Sequence, residues 1–129
     1  MIKAEGWWTY HGIPSIYYDA LDNNDKRCVG RTGPVLYPDQ ELVDRGCNYA
    51  YIYGVTIWEC EQGKGYGRMM MNDIIADLES RGYNEIRLDV AGWNTRAINL
   101  YTSLGFVFAD FYEEHFDFGS GKLMVRKQA

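Results

Sequence analysis

Along residues 48–59, Tyr51, Tyr53, Val55 and Ile57 alternate with Ala50, Ile52, Gly54 and Thr56, so a strand built here is apolar or small on both faces. Such a strand is the longest expected in the chain, and it predicts a central position with both faces covered. Gly54 inside it signals a bulge or a close backbone approach. From Gly65 the hydrophobic period changes. Met70, Met71, Ile74, Ile75 and Leu78 recur at helical spacing, and Gly82 follows as a stop.

The flanking sequence completes a layered pattern. Residues 15–21 and 27–37 read as antiparallel strands around an Asn23-Asn24-Asp25 turn, the second broken near Gly33-Pro34. Residues 38–46 are polar and read as a loop or short helical turn. Ile86, Leu88 and Val90 alternate as a further strand. Asn94 is a good N-cap for a helix reaching about Ser103, with Gly105 after it. Residues 106–113 and 122–127 read as closing strands. Residues 1–14 have no clear period, although Gly6-Trp7-Trp8-Thr9-Tyr10 suits a short strand. Strands, helix, strand, helix and strands in this order predict an α/β domain with a mixed, mostly antiparallel central sheet and flanking helices. A length of 129 residues predicts one domain, 1–129.

Charge and cysteine usage narrow the function. The net charge of -5 argues against a broad nucleic-acid surface and suits a cationic or amine-bearing acceptor. No run approaches a membrane span, and the N-terminus lacks the apolar core of a signal peptide, so a cytoplasmic location is expected. Cys28, Cys47 and Cys60 form no C-x-x-C pair, and His11 and His115 are the only histidines; three reduced thiols and no metal are expected. Cys60 lies near the candidate site, but nothing adjacent in sequence lowers its pKa.

Two motifs carry chemistry. Gln62-Gly63-Lys64-Gly65-Tyr66-Gly67-Arg68 lies between the two-faced strand and the helix. Glycines there expose backbone N–H groups, and the helix points its positive end at the same place, which suits a pyrophosphate. The spacing is neither a Walker loop nor G-x-G-x-x-G. The second motif is Leu88-Asp89-Val90, then Asn94-Thr95-Arg96-Ala97-Ile98-Asn99-Leu100-Tyr101, then Leu104-Gly105-Phe106. Together the two resemble the GNAT superfamily of N-acetyltransferases. Gln62, Gly65 and Gly67 fill its Q/R-x-x-G-x-G/A signature, and Asn94, Ala97, Tyr101 and Leu104-Gly105-Phe106 fill its N-x-x-A-x-x-x-Y helix and L-G-F end. The resemblance runs from about Ser15 to Lys127.

That resemblance implies acetyl transfer from acetyl-CoA to an amine. By position, backbone groups near Val55, Ile57 and Trp58 pair with the pantetheine arm. Gln62 opens the loop whose amides, from Gly63 through Lys64, Gly65, Tyr66 and Gly67 to Arg68, hold the pyrophosphate. Asn94 bonds the arm near its adenine side, Ala97 lets the arm lie against the helix, and Tyr101 donates a proton to the leaving thiolate. Many relatives carry a Glu early on the strand where this chain has Tyr51 and Tyr53. In those similar to ribosomal-protein N-terminal acetyltransferases, a carboxylate stands twelve residues before the catalytic Tyr, the place of Asp89. A structural salt bridge, for example to an Arg, is the other reading of Asp89. Glu113, Glu114 and His115 are candidates for acceptor contact or plain surface charge.

The chain departs from the family at its start, where residues 1–14 leave no room for the two helices that usually wall the acceptor site. The acceptor side is then open, suited to a flexible protein segment or a small cationic amine, or completed by a second subunit in a homodimer. A non-catalytic acyl-CoA-binding module and a toxin-like acylase of charged tRNA are the alternatives.

Overall fold

The structure, a computed structural model, describes residues 1–10, 13–38, 40–109 and 121–128. Its strands are β1 (Ile2–Tyr10), β2 (Ile13–Leu21), β3 (Cys28–Leu36), β4 (Tyr49–Ile52), β5 (Val55–Ile57), β6 (Glu85–Val90), β7 (Val107–Phe108) and β8 (Lys122–Lys127). The helices are α1 (Gln40–Asp44), α2 (Tyr66–Ser80) and α3 (Thr95–Ser103), with a 3-10 turn at Glu59–Glu61. The sheet runs β1-β2-β3-β4-β6-β8-β7, with β5 alongside β3. Every pairing is antiparallel except β4 with β6, which α2 connects as a crossover. The mixed, mostly antiparallel sheet expected from the element order is therefore present.

Residues 1–10 hold more structure than their pattern suggests. β1 is nine residues long and pairs with β2 in a register from Ile2↔Ala20 to Tyr10↔Ile13, shifted between Glu5 and Trp7. The pairing comes from β2, a neighbour whose own alternation is clear, so β1 needs little periodicity of its own.

The single strand expected over residues 48–59 is a correction. It breaks at Tyr53 and Gly54 into β4 and β5, and then turns into the 3-10 segment. Both halves stay on β3: Val35 and Leu36 pair with Ile52 and Tyr51, while Gly30, Arg31 and Thr32 pair with Ile57, Thr56 and Val55. Gly33 N donates to Gly54 O at 2.9 Å, and a Cβ on Gly54 would lie 3.2 Å from Gly33 O, so the close approach signalled by this glycine is real. β6 follows only the first half, ending at Ile52↔Leu88. Beyond that pair β5 stays with β3 and β6 stays with β8, and a gap opens between them.

All four residues of β4 are buried, as a two-faced apolar strand requires. Ala50 and Ile52 pack with Met70, Met71, Ile74, Ile75 and Leu78 of α2 and with Tyr101 and Phe106. Tyr49 and Tyr51 face the other way, with Leu36, Leu42, Cys47, Leu123 and Val125. Of the closing strand expected over residues 106–113, Val107–Phe108 is strand and residues 110–113 lie outside the described residues.

Buried phenols tie stability to alkaline pH. Tyr18 donates to Asp77 Oδ2 at 2.5 Å and lies 3.0 Å from the Tyr37 hydroxyl. Burial, reinforced by Asp77, pushes the Tyr18 phenol up, and burial with Asp89 does the same to Tyr51. Burial, then the Asp89 charge, pushes Tyr101 up to about 12. The unfolded chain releases these protons near pH 10 while the folded chain keeps them. Stability from these groups is therefore complete below pH 10 and falls above it. Each should cost about 1.4 kcal/mol per pH unit in that range. Urea midpoints measured from pH 8 to 11.5 should be flat to about 9.5 and then fall steeply; a flat profile would contradict the burial of these hydroxyls.

Candidate active site

The gap between β5 and β6 opens into a cleft of about 470 Å³, walled by Val55 and Ile57, by the loop and first turn of α2, and by α3. β5 presents backbone there because of strand parity. Trp58 N donates to Val29 O at 2.9 Å, and Gly54 O accepts from Gly33, so residues 54, 56 and 58 turn their polar groups to β3. Those of Val55 and Ile57 then point away from β3, toward the cleft. Trp58, expected beside them, is a correction: its amide is used by β3, its indole Nε1 donates to Cys28 O at 3.1 Å, and it is absent from the wall.

The loop after β5 is held from three sides. Gln62 Nε2 donates to Ile57 O at 3.1 Å, which folds the loop back against the strand. Glu61 is buried and accepts from Arg27 Nε and Nη2, both at 3.0 Å, and from Lys64 Nζ at 3.1 Å. Arg27 first, then Lys64, holds the Glu61 carboxyl below its ordinary range. Lys64 thereby spends its ammonium on the loop, and its side chain is not part of the cleft wall. Tyr66 donates to Asp22 Oδ2 at 2.5 Å, pinning the first residue of α2 to the β2–β3 turn, and this bond brings Asp22 down to about 2.

Gly63 and Gly65 adopt left-handed φ values of 80° and 84°, a conformation costly for residues with a Cβ. Gly65 caps α2, and nothing lies within 4 Å of the place a Cβ would take there. Helical bonding begins with Met69 N to Gly65 O at 3.2 Å, so the amides of Tyr66, Gly67 and Arg68 have no intrahelical acceptor. They form a donor cradle at the positive end of a 15-residue helix. Gly67 lies against α3, its Cβ position 3.4 Å from Leu100 Cδ2.

Across the cleft, Asn94 caps α3 as expected, its side chain accepting from Ala97 N at 3.2 Å. Ala97 and Tyr101 follow one above the other on the wall. Tyr101 is only 6% exposed, and its ring lies 5.9 Å from that of Phe106. Its raised pKa keeps the phenol protonated throughout the neutral range. Asp89 does not line the cleft. It accepts from Tyr51 Oη at 3.1 Å, and its charge acts on the Tyr101 phenol. Among the described residues the partner of Asp89 is Tyr51, and no Arg pairs with it.

Glu61, Arg96, Asn99 and Leu100 also line the cleft and were not among the expected site residues. The three on α3 had a signal, since they share a helical flank with Ala97 and Tyr101. Glu61 had none, because its partner Arg27 is distant in sequence. Glu113, Glu114 and His115 lie outside the described residues. Among the described residues there is no group of three metal-ligating side chains, and no helix is long and apolar enough to cross a membrane.

Comparison with known proteins agrees with this architecture. The profile of the acetyltransferase (GNAT) family matches residues 4–106. A [ribosomal protein bS18]-alanine N-acetyltransferase of Salmonella typhimurium is 39% identical over 57 residues, 44% of this chain and 38% of that protein. A mycothiol acetyltransferase of Thermobispora bispora is 42% identical over 78 residues, 60% of this chain and 26% of that protein. The chain thus spans well under half the length of these relatives. The crystal structure of a Staphylococcus aureus GNAT acetyltransferase superposes with a TM-score of 0.71 at 15% identity, covering 89% of this chain and 68% of that one. A GNAT acetyltransferase from Elizabethkingia anophelis, solved with acetyl-CoA bound, superposes with a TM-score of 0.67 at 17% identity, covering 88% and 76%.

Proposed function

Because the chain belongs to the GNAT family of acetyltransferases, we propose that it transfers an acetyl group from acetyl-CoA to an amine. One observation carries this: the amide cradle at the α2 N-terminus and a buried, protonated phenol at Tyr101 wall the same cleft. The residues present fit the cofactor. The Gly65 Cβ position opens into free space, as a cradle for a bulky anion needs. Val55 and Ile57 offer strand-edge donors and acceptors to an amide-bearing arm, and Ala97 leaves room beside them.

Acetyl-CoA supplies the activated acetyl group as a thioester. The amides of Tyr66, Gly67 and Arg68 bind its pyrophosphate. Gln62 acts one step back, by holding Ile57 and the loop together. Lys64 stabilises the loop through Glu61, and Asn94 does so for α3 by capping it. Tyr101 holds a proton on Oη and delivers it to the departing sulfur. Asp89 is the carboxylate that takes the proton the acceptor nitrogen loses.

The acceptor is a protein amine or a small cationic amine. A relative named for a ribosomal-protein alanine supports the first, and the net charge of -5 suits either. The test is to incubate the chain with acetyl-CoA and a panel of alanine-initiated peptides, lysine peptides and polyamines. Acceptor-dependent release of free thiol, with acetylated product by mass spectrometry, is the expected result. Tight CoA binding with no transfer to any amine would instead describe an acyl-CoA-binding module.

A further inference from the structure

We infer that Tyr51 is the positioning residue for the base: its hydroxyl holds the Asp89 carboxylate in the orientation that accepts the proton of the incoming amine. The inference rests on the acetyl-transfer function proposed above. Tyr51 is 0% exposed, yet it carries a polar group that a phenylalanine at the same place would lack. Buried hydroxyls persist where they have a partner, and the partner here is Asp89 Oδ1 at 3.1 Å. The raised phenol keeps its proton, so Tyr51 stays the donor in this bond through the neutral range.

The register explains why this contact matters at this point of the sheet. Tyr51 pairs with Arg87, and the following pair, Ile52↔Leu88, is the last of the β4–β6 ladder. Asp89 is the first residue past it. Tyr51 therefore reaches diagonally to the same-face residue two positions on, and its hydroxyl spans the place where the strands part. Tyr53 packs edge-on against the Tyr51 ring, centroids 5.2 Å apart at 76°, and restricts its swing.

Among the described residues, the groups around Asp89 leave this hold to Tyr51. From α3 the protonated Tyr101 feels its charge, and from β8 its partner is the apolar Leu123. Arg87, on the same face of β6, bonds Glu85 and lies 3.7 Å over the Tyr49 ring. Lys122 is the partner of Val90, on the other face, above the Phe108 ring. A hydrogen bond from Tyr51 to Oδ1 fixes the carboxylate rotamer and directs Oδ2. The transfer itself then balances simply. The amine nitrogen forms a bond to the acetyl carbon, the carbon–sulfur bond breaks, Asp89 receives the proton from nitrogen, and Tyr101 gives one to sulfur.

The experiment compares the parent, Tyr51→Phe, Asp89→Asn and the double variant in steady-state acetylation, with the CoA dissociation constant by calorimetry as the check on folding. Tyr51→Phe should lower kcat about tenfold, as expected for a lost hydrogen bond to a charged group, with CoA affinity unchanged. The acceptor and acetyl-CoA Michaelis constants should stay near the parent values, so that the loss falls on kcat alone. The double variant should be no slower than Asp89→Asn alone. Losses that multiply, or a loss carried by a Michaelis constant and not by kcat, would overturn the positioning role. An impaired Asp89→Asn beside an unimpaired Tyr51→Phe would remove Tyr51 alone, whereas a parent without transferase activity, or a full-rate Asp89→Asn, would bring down the underlying mechanism with it. If Tyr51→Phe loses CoA binding, 3-fluorotyrosine at position 51 keeps the ring and the bond; as a stronger donor it should draw on the carboxylate and lower kcat at unchanged CoA affinity, and an unchanged kcat would again refute the inference.

Discussion

Tyr101→Phe should slow acetyl transfer by roughly tenfold to a thousandfold in kcat while leaving the acetyl-CoA Michaelis constant and the CoA dissociation constant nearly unchanged. The ring is packed against Phe106 and buried with the α2 core, and phenylalanine retains those contacts. Only the proton donor is removed. Burial and the Asp89 charge raise this phenol to about 12, so it is protonated at every pH of a practical assay. Its ionisation should therefore leave no basic limb below about pH 11 in the parent. Single-turnover measurements separate the chemical step from product release and read the loss directly. A Tyr101→Phe protein that acetylates at the parent rate would make water or another group the acid.

Gly65→Asp and Gly67→Glu should each weaken CoA binding about a hundredfold or more while the chain remains folded, since a like charge placed against a bound anion costs several kcal/mol. At Gly65 the surroundings offer no clash, and Asp is among the residues that tolerate a left-handed φ of 84°. The new carboxylate would stand in the cradle itself. At Gly67 a side chain would start 3.4 Å from Leu100 Cδ2 and occupy the crease between α2 and α3. Calorimetry with CoA, beside thermal melting, distinguishes a lost site from a lost fold. Parent-like CoA affinity in either folded variant would reject the cradle.

Local rules carried much of the fold. The α2 apolar positions, the Asn94 cap and the glycine stops act within a few residues of one another, so the sequence shows them directly. The same holds for the cleft. Gln62, Gly65, Gly67, Asn94, Ala97 and Tyr101 sit on two short segments whose helices present them at fixed spacing, and all six line it.

Partners distant in the chain were decided by the tertiary structure, because strand pairing and burial select them. Gly54 marked an irregularity in residues 48–59, but the break itself depends on β3 keeping both halves while β6 leaves after Leu88. Trp58 sits one residue beyond Ile57, yet its amide faces β3 because pairing with Val29 sets the parity. Glu61 is stapled by Arg27, and Asp89 by Tyr51, across separations of 34 and 38 residues. The sequence alone determined the strand-loop-helix cradle and the helix that presents Tyr101, since each is written in local spacing. Only the tertiary structure decided where the sheet parts and which buried hydroxyl meets Asp89, because those follow from strand register, which a single strand cannot encode by itself.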